Sequence, residues 1–281
     1  MDENKIHIPP LKIQGIKTKL LPAIKENVIM NDDTLWVEPF MGSGIVGFNL
    51  ASKRAIFSDT NPYIIQFYGD IKNGKITSEI VRNFLEKESI KLRNGDDKYY
   101  YEVRDRFNRS HSSLDFLFLN RTCFNGMMRF NQKGDFNVAY CHKPNRFSRA
   151  YITKIVHQVE YIEKKLKNND WIFICQTFDK TIKMIEKEKN VFIYCDPPYI
   201  DRNSNYYDDW NIDKEKHLQQ CLFESNNKFI LSTWDYNEYR KNECIETIWK
   251  NYNKVNIPHF YHIGAKETNR KPMMEAVLKN Y

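Results

Sequence analysis

No apolar stretch in this chain approaches the ~20 residues that a membrane helix requires; the longest are strand-sized. Nor does an apolar run follow a basic head after Met1–Lys5, so no secretory signal is expected. The six cysteines (Cys123, Cys141, Cys175, Cys195, Cys221, Cys244) show no C-x-x-C pairing. Cys175 and Cys195 fall inside apolar runs, where a small buried hydrophobe is the natural role. A reduced, cytoplasmic protein is expected. His259 and His262 have no third candidate ligand nearby, and no metal site is predicted. Internal repeats, low-complexity tracts, a full G-x-G-x-x-G and the Lys-Ser/Thr of a P-loop are also missing.

Across 281 residues, 41% hydrophobic and 14% aromatic content indicates a folded chain with one full core plus a smaller appended unit. Lysine and arginine outnumber aspartate and glutamate 43 to 36, a net +7 that mildly favours an anionic partner.

Strand-like runs occur at Thr34–Glu38, Arg54–Ser58, Trp171–Cys175, Val191–Asp196 and Lys228–Thr233. Helical patterns at Asn61–Ile71, Phe178–Glu188 and Asp213–Glu224 separate most of them. Such alternation predicts an α/β fold with a doubly wound, mostly parallel sheet. Val255–Ile263 and Glu275–Lys279 read as a C-terminal antiparallel hairpin joined by the polar segment Gly264–Lys271. Residues 71–170 break the alternation and are too long for a crossover. Helical stripes at Ser78–Arg93 and Tyr151–Lys167 suggest a mainly helical inserted domain. Residues 1–70 and 171–281 then form the main domain.

Asp196-Pro197-Pro198-Tyr199 follows the apolar run Val191–Cys195. Neither proline has the N–H that a ladder needs, so the strand stops at Asp196. Ligands of open α/β sheets sit at that edge. The turn holds a carboxylate, a backbone carbonyl and an aromatic ring in fixed relation, suited to gripping a flat base and accepting bonds from an amino group.

Val37–Gly44 runs a strand into a glycine turn, followed by the helix-like Ile45–Ala51. Gly42 and Gly44 permit a tight turn and close backbone approach, and a helix N-terminus attracts negative charge. Asp59, fifteen positions after Gly44 at the next strand's tip, is placed for two ribose hydroxyls. The alternative is that it caps the following helix, and both roles can hold together. Glu38, Asp59 and Asp196 converge on one edge. A nucleoside without a pyrophosphate fits the short glycine turn, and S-adenosyl-L-methionine meets that description.

In this order, the runs Pro10–Lys17, Val37–Gly44, Asn120–Asn137, Asp196–Tyr199 and Gly264–Met273 resemble the Dam-like, α-ordered DNA adenine-N6 methyltransferases, nearest to the EcoRV-type modification branch. The resemblance covers nearly the whole chain. It implies a Rossmann-like catalytic domain binding S-adenosyl-L-methionine and an inserted target-recognition domain with a β-hairpin. Lys12 and Lys17 match the amino-terminal part of the cofactor and DNA site; Phe40, Asp59 and Phe178 match positions around the cofactor. Phe124-Asn125-Gly126 matches a hairpin that enters the duplex, with Met127 beside it, and Arg129 matches a base-reading arginine. Ile13 stands where the family has an aromatic residue, and Ala139 where Dam has a proline. Implied too are double-stranded DNA as substrate, a GAT-containing target such as GATATC, a paired restriction endonuclease and a monomeric state.

The chemistry follows from the amine. The lone pair of adenine N6 is delocalised, so Asp196 and the Pro197 carbonyl would accept its two N–H bonds and favour the pyramidal form, with Tyr199 stacked on the base. No strong base is needed before attack. The base must first leave the duplex, at a few kcal/mol. Across Asn120–Lys154, seven basic residues (121, 129, 133, 143, 146, 149, 154) face one acid, Asp135. Arg121, Arg129, Lys143, Arg146 and Arg149 are therefore expected at phosphates, Arg129 also at guanine. Of the rings Phe124, Phe130, Phe136, Tyr140, Phe147 and Tyr151, most would pack a small core and Phe124 alone would intercalate.

Three rival readings remain. Methylation of cytosine N4, RNA or a glutamine amide usually goes with Ser or Asn before Pro-Pro. A non-catalytic DNA-binding protein would not need Gly42, Gly44, Asp59, Asp196 and Tyr199 together. A restriction nuclease would leave the glycine turn unexplained.

Overall fold

In the computed structural model, which describes residues 5–200, 210–260 and 272–281, seven strands form one sheet. They are β1 (Leu35–Glu38), β2 (Arg54–Asp59), β3 (Asp170–Cys175), β4 (Val191–Cys195), β5 (Lys228–Tyr236), β6 (Asn253–Phe260) and β7 (Pro272–Lys279). The order is β3-β2-β1-β4-β5-β7-β6. The five-strand block β3 to β5 is parallel throughout, while β7 runs antiparallel between β5 and β6. The result is a mixed, mostly parallel α/β sheet with an antiparallel C-terminal pair, as the sequence pattern predicts.

Strand side chains alternate between two layers, and the apolar core divides accordingly. Trp36, Phe57, Phe192 and Tyr194 face one layer. That layer holds α1 (Leu21–Asn27), α2 (Ile45–Leu50) and α3 (Pro62–Lys72), together with α4 (Ser78–Ser110), α5 (Ser113–Thr122) and α6 (Arg149–Asn168). Val37, Ile56, Ile193 and Leu231 face the other, covered by α7 (Phe178–Met184), α8 (Ile212–Ser225) and α9 (Glu243–Thr247). Residues 78–168 share one continuous apolar cluster with the first face of the sheet.

Several elements differ from the sequence-based expectation. The helix predicted to end at Arg93 continues to Ser110, through Asn94 and Gly95. Leu92, Tyr100, Val103 and Phe107 prolong its buried stripe, and that packing outweighs the local turn preference. It ends at His111, whose left-handed backbone (φ 53°) closes the last turn. Helix α5 was not foreseen: nine of its ten residues are buried, so it has no polar face to produce a helical period. Helix α7 stops at Met184 rather than Glu188, because Ile185 turns into the core. Strand β5 continues three residues beyond Thr233.

The stretch between α5 and α6 forms a short irregular hairpin. Antiparallel bridges join Cys123 to Tyr140 and Phe130 to Phe136, so the chain reverses at 131–135. There the Asn131 side chain accepts the Lys133 and Asp135 N–H groups. Phe124-Asn125-Gly126 forms a 3₁₀ turn on the rising arm of the hairpin. The segment Gly264–Lys271, and with it His262, lies outside the described residues. Among the described residues no helix is long and apolar enough to cross a membrane.

Candidate active site

The strand order reverses between β1 and β4, which pair in parallel and open a crevice at their carboxyl ends. Strand β1 leaves through Pro39–Met41 into the glycine turn. Gly44 takes a left-handed backbone (φ 75°), and a Cβ there would stand 2.4 Å from the Phe48 ring. The Asp59 carboxylate fastens the turn: Gly42 N–H donates to Oδ2 at 2.8 Å and Asn61 N–H to Oδ1 at 2.9 Å. Asn61 is itself the cap of α3, accepting from Tyr63 N–H, so Asp59 is not the helix cap that the sequence left open. Its carboxylate instead joins the tips of β1 and β2. Helix α2 has only six residues, and Gly44 begins it without lining the crevice.

Glu38 at the tip of β1 is 2% exposed and accepts the Trp36 indole N–H at 3.1 Å. Burial holds its carboxyl well above the ordinary range, with the Asp196 charge adding to the shift. Gly47 lets α2 come this close, since a Cβ there would meet Phe57 at 2.2 Å and Glu38 Oε2 at 2.3 Å.

At the tip of β4, Asp196 Oδ1 receives the Lys17 ammonium at 2.7 Å. Lys17 is almost wholly buried and also donates to the Gly15 carbonyl at 2.9 Å. It lies 5.1 Å from the centre of the Tyr199 ring. The Tyr199 hydroxyl donates to Glu275 Oε2 at 2.7 Å. Burial raises the Asp196 pKa, the Lys17 ammonium pulls it back and the Glu275 charge pushes it up; the net direction is upward.

Lys17, Glu38, Phe40, Gly42, Asp59, Phe178, Asp196, Pro197 and Tyr199 all border one cavity of about 430 Å³, within the usual size of a small-molecule site. Phe40 stacks on Phe178 with ring centres 5.5 Å apart, and Trp210 meets both edge-on at 5.4 and 5.6 Å. The buried Glu215 carboxylate anchors Trp210 by accepting the indole N–H groups of Trp210 (2.5 Å) and Trp249 (2.7 Å). Trp210, His217 and Glu275 escaped the sequence reading. Trp210 follows an unpatterned stretch. Glu275, a lone acid within Met273–Leu278, was the one with a usable signal.

The remaining candidates form a second surface, apart from the cavity. Phe124 is 53% exposed, whereas Phe136, Tyr140 and Phe147 are buried and Phe130 and Tyr151 half-buried. Asn125, Arg129, Lys143 and Arg149 are exposed, Met127 and Arg146 half-buried. Arg129 is braced by Asn137, donating from Nε to Oδ1 at 2.8 Å and from Nη2 to the carbonyl at 3.1 Å. Lys12 lies alongside, its backbone paired both ways with the Asn120 side chain at 2.7 Å. Arg121 corrects an expectation: at 3% exposure it presents no surface to a phosphate. Its guanidinium donates to Tyr151 Oη at 3.0 Å and Gln158 Oε1 at 2.5 Å, tying α5 to α6.

Strand order and the reversed seventh strand together define an α/β methyltransferase-like fold. Residues 14–263 match the family described as D12 class N6 adenine-specific DNA methyltransferase, and the chain belongs to that family. It is 30% identical over 301 positions to the Type II methyltransferase M.MjaIII of Methanocaldococcus jannaschii, covering 97% of this chain and 99% of that one. The Type II methyltransferase M1.LlaDCHI of Lactococcus lactis subsp. cremoris is 26% identical, with coverage of 100% and 98%. The Type II methyltransferase M.FokI of Planomicrobium okeanokoites is 27% identical over 97% of this chain, which spans only 42% of that relative.

Family membership implies S-adenosyl-L-methionine as methyl donor. The residues present fit such a molecule. The Phe40, Phe178 and Trp210 rings offer apolar walls for a base, and the half-exposed Asp59 carboxylate offers acceptors for hydroxyls.

Proposed function

We propose that this enzyme methylates N6 of an adenine swung out of duplex DNA, within a GAT-containing site such as GATATC, as the EcoRV-type partner of a restriction endonuclease. The observation that carries the reading is the shared cavity: the Asp196–Tyr199 turn and the Asp59-latched glycine turn open into the same space. Full-length similarity to M.MjaIII and M1.LlaDCHI, both named Type II methyltransferases, supports the modification role.

Lys17, Glu38, Phe40, Gly42, Asp59 and Phe178 would hold the cofactor, with Gly44 shaping the turn. S-adenosyl-L-methionine, when bound, supplies an activated methyl group. Asp196 and the Pro197 carbonyl accept the amine N–H bonds and Tyr199 stacks on the base. The amine must share the Asp196 carboxylate with Lys17, or Lys17 must turn aside. The ammonium meanwhile keeps that carboxylate charged inside a largely apolar wall. The proton on N6 becomes acidic only as the N–C bond forms, so Asp196 need not remove it beforehand.

Residues 71–170 would carry target recognition, and residues 1–70 with 171–281 the catalytic domain. Phe124 would fill the vacated stack, with Asn125 and Met127 beside it. Arg129 would read guanine, while Lys12, Lys143, Arg146 and Arg149 would engage the backbone. A cytoplasmic, monomeric enzyme fits this role.

Expression in cells lacking adenine methylation, followed by modification-sensitive sequencing of their genome, tests both reaction and target. One modified adenine motif is expected. An unmodified genome alongside soluble, cofactor-binding protein overturns the proposal.

A further inference from the structure

Two prolines fix the backbone before Tyr199, but they leave its ring free to turn about the Cα–Cβ bond. A ring that is to stack on a base needs its plane held, and the structure holds it at two points. Lys17 Nζ lies 5.1 Å from the ring centre, and the hydroxyl at the far end donates to Glu275 Oε2 at 2.7 Å. Glu275 is fully buried in β7. Burying a carboxylate is costly, and a bond to a charged acceptor is stronger and more directional than a neutral one.

The topology explains how a residue 76 positions away reaches this ring. Because β7 runs antiparallel to β5, its first residues arrive at the edge where β4 and β5 end. Glu275 there pairs in register with Trp234 on β5 and Ile257 on β6. A parallel strand in the same slot would have brought its last residues to that edge.

We infer that Glu275 is a positioning residue for base stacking: its buried carboxylate tethers the Tyr199 hydroxyl and sets the plane of the ring against the extruded adenine. This rests on the proposed adenine methylation. Glu275 touches neither base nor cofactor; it holds the Tyr199 hydroxyl and, through its charge, adds to the upward shift of Asp196.

The test compares E275Q, E275A, Y199F and the double variant E275A/Y199F with wild type in full-length protein. Duplexes carrying the target adenine give kcat and KM, and duplexes with 2-aminopurine at that position report base stacking. Gln keeps an acceptor at the same reach, so E275Q should stay within about threefold of wild type. Both E275A and Y199F should lose about tenfold or more in kcat, with the donor KM unchanged. Their 2-aminopurine emission should rise as stacking is lost, and the double variant should fall no further than either single one. Wild-type kcat and emission in E275A would overturn the inference, as would single effects that multiply in the double variant. If E275A does not fold, E275S takes its place, its side chain too short to reach the hydroxyl: kcat and emission changes that match Y199F support the tether, and wild-type values overturn it. A wild-type protein that leaves adenine unmodified removes the methyltransferase reading along with the inference. An active wild type matched by Y199F and E275A removes the inference alone.

Discussion

Lys17 and Asp196 form an ion pair of 2.7 Å at the floor of the cavity, joining the segment before α1 to the tip of β4 across 179 positions of sequence. Its pH consequence has a definite sign. A protonated carboxyl keeps a carbonyl acceptor but loses the charge that strengthens its bonds to the amine, so Asp196 works ionised, and burial lifts its pKa above the usual ~4. The rate of methyl transfer should therefore fall on the acid side through a pKa above that ordinary value. Lys17 pulls the pKa down, so Lys17→Met should move the acid limb to higher pH. Single-turnover rates followed from about pH 4 upward measure it. An unmoved limb would show that the ion pair has no part in ionising Asp196.

Removing the carboxylate altogether should cost far more than moving its pKa. Asp196→Ala is expected to lower kcat by about 10²–10³-fold, as for loss of one preorganised hydrogen-bonding group. Thermal melting alongside the assay checks that the variant is folded. Near-normal turnover in a folded Asp196→Ala protein rules out the assigned role.

The Asp59 latch should be felt at the cofactor. Asp59→Ala removes the acceptor of the Gly42 and Asn61 N–H groups and frees the glycine turn. Titration calorimetry with S-adenosylhomocysteine should show about tenfold weaker binding or worse, the value of one or two charged hydrogen bonds. Wild-type affinity in that variant would reduce the latch to a structural detail.

On the second surface, Arg129→Ala and Phe124→Ala should fail differently. Arg129→Ala should lose about 1–3 kcal/mol of discrimination at one base position while keeping affinity for non-cognate DNA. Affinity lost equally on every sequence would make Arg129 a phosphate contact. Phe124→Ala should keep initial binding and reduce base extrusion, read as a smaller 2-aminopurine change at the target position. An undiminished change would exclude the ring from the stack.

Gly47→Ala tests the close contact of α2 with β1 and β2. The added Cβ would meet Phe57 and the Glu38 carboxylate at under 2.4 Å, so the helix must shift. About 1–3 kcal/mol of destabilisation is expected, near 2–4 °C in Tm for each kcal/mol. An unchanged Tm would mean that α2 moves freely.

The parallel sheet is readable in the sequence because each buried strand is a short apolar run bounded by breakers. Asp196 and Asp59 are readable because each ends such a run with an acid. Helix α5 is not, since a segment buried on nearly all sides carries no period. The length of α4 is hidden by Asn94 and Gly95, whose local preference is opposed by Tyr100, Val103 and Phe107 further along. Arg121 shows the limit of counting charge: composition records a basic residue but not that Tyr151 and Gln158 enclose it. Trp210 reaches the cavity, and Glu275 the Tyr199 hydroxyl, only through the docking of α8 and the reversal of β7, which no local pattern encodes.

The continuous cluster linking α4, α5 and α6 to the sheet bears on engineering. Transplanting all of 71–170 between relatives would sever a common interior, and such chimeras should emerge insoluble. Grafts confined to the exposed positions between α5 and α6, such as Phe124 and Arg129, with Phe136, Val138, Tyr140 and Phe147 left in place, keep the scaffold whole and, on the proposed recognition role, are the route to altered target choice.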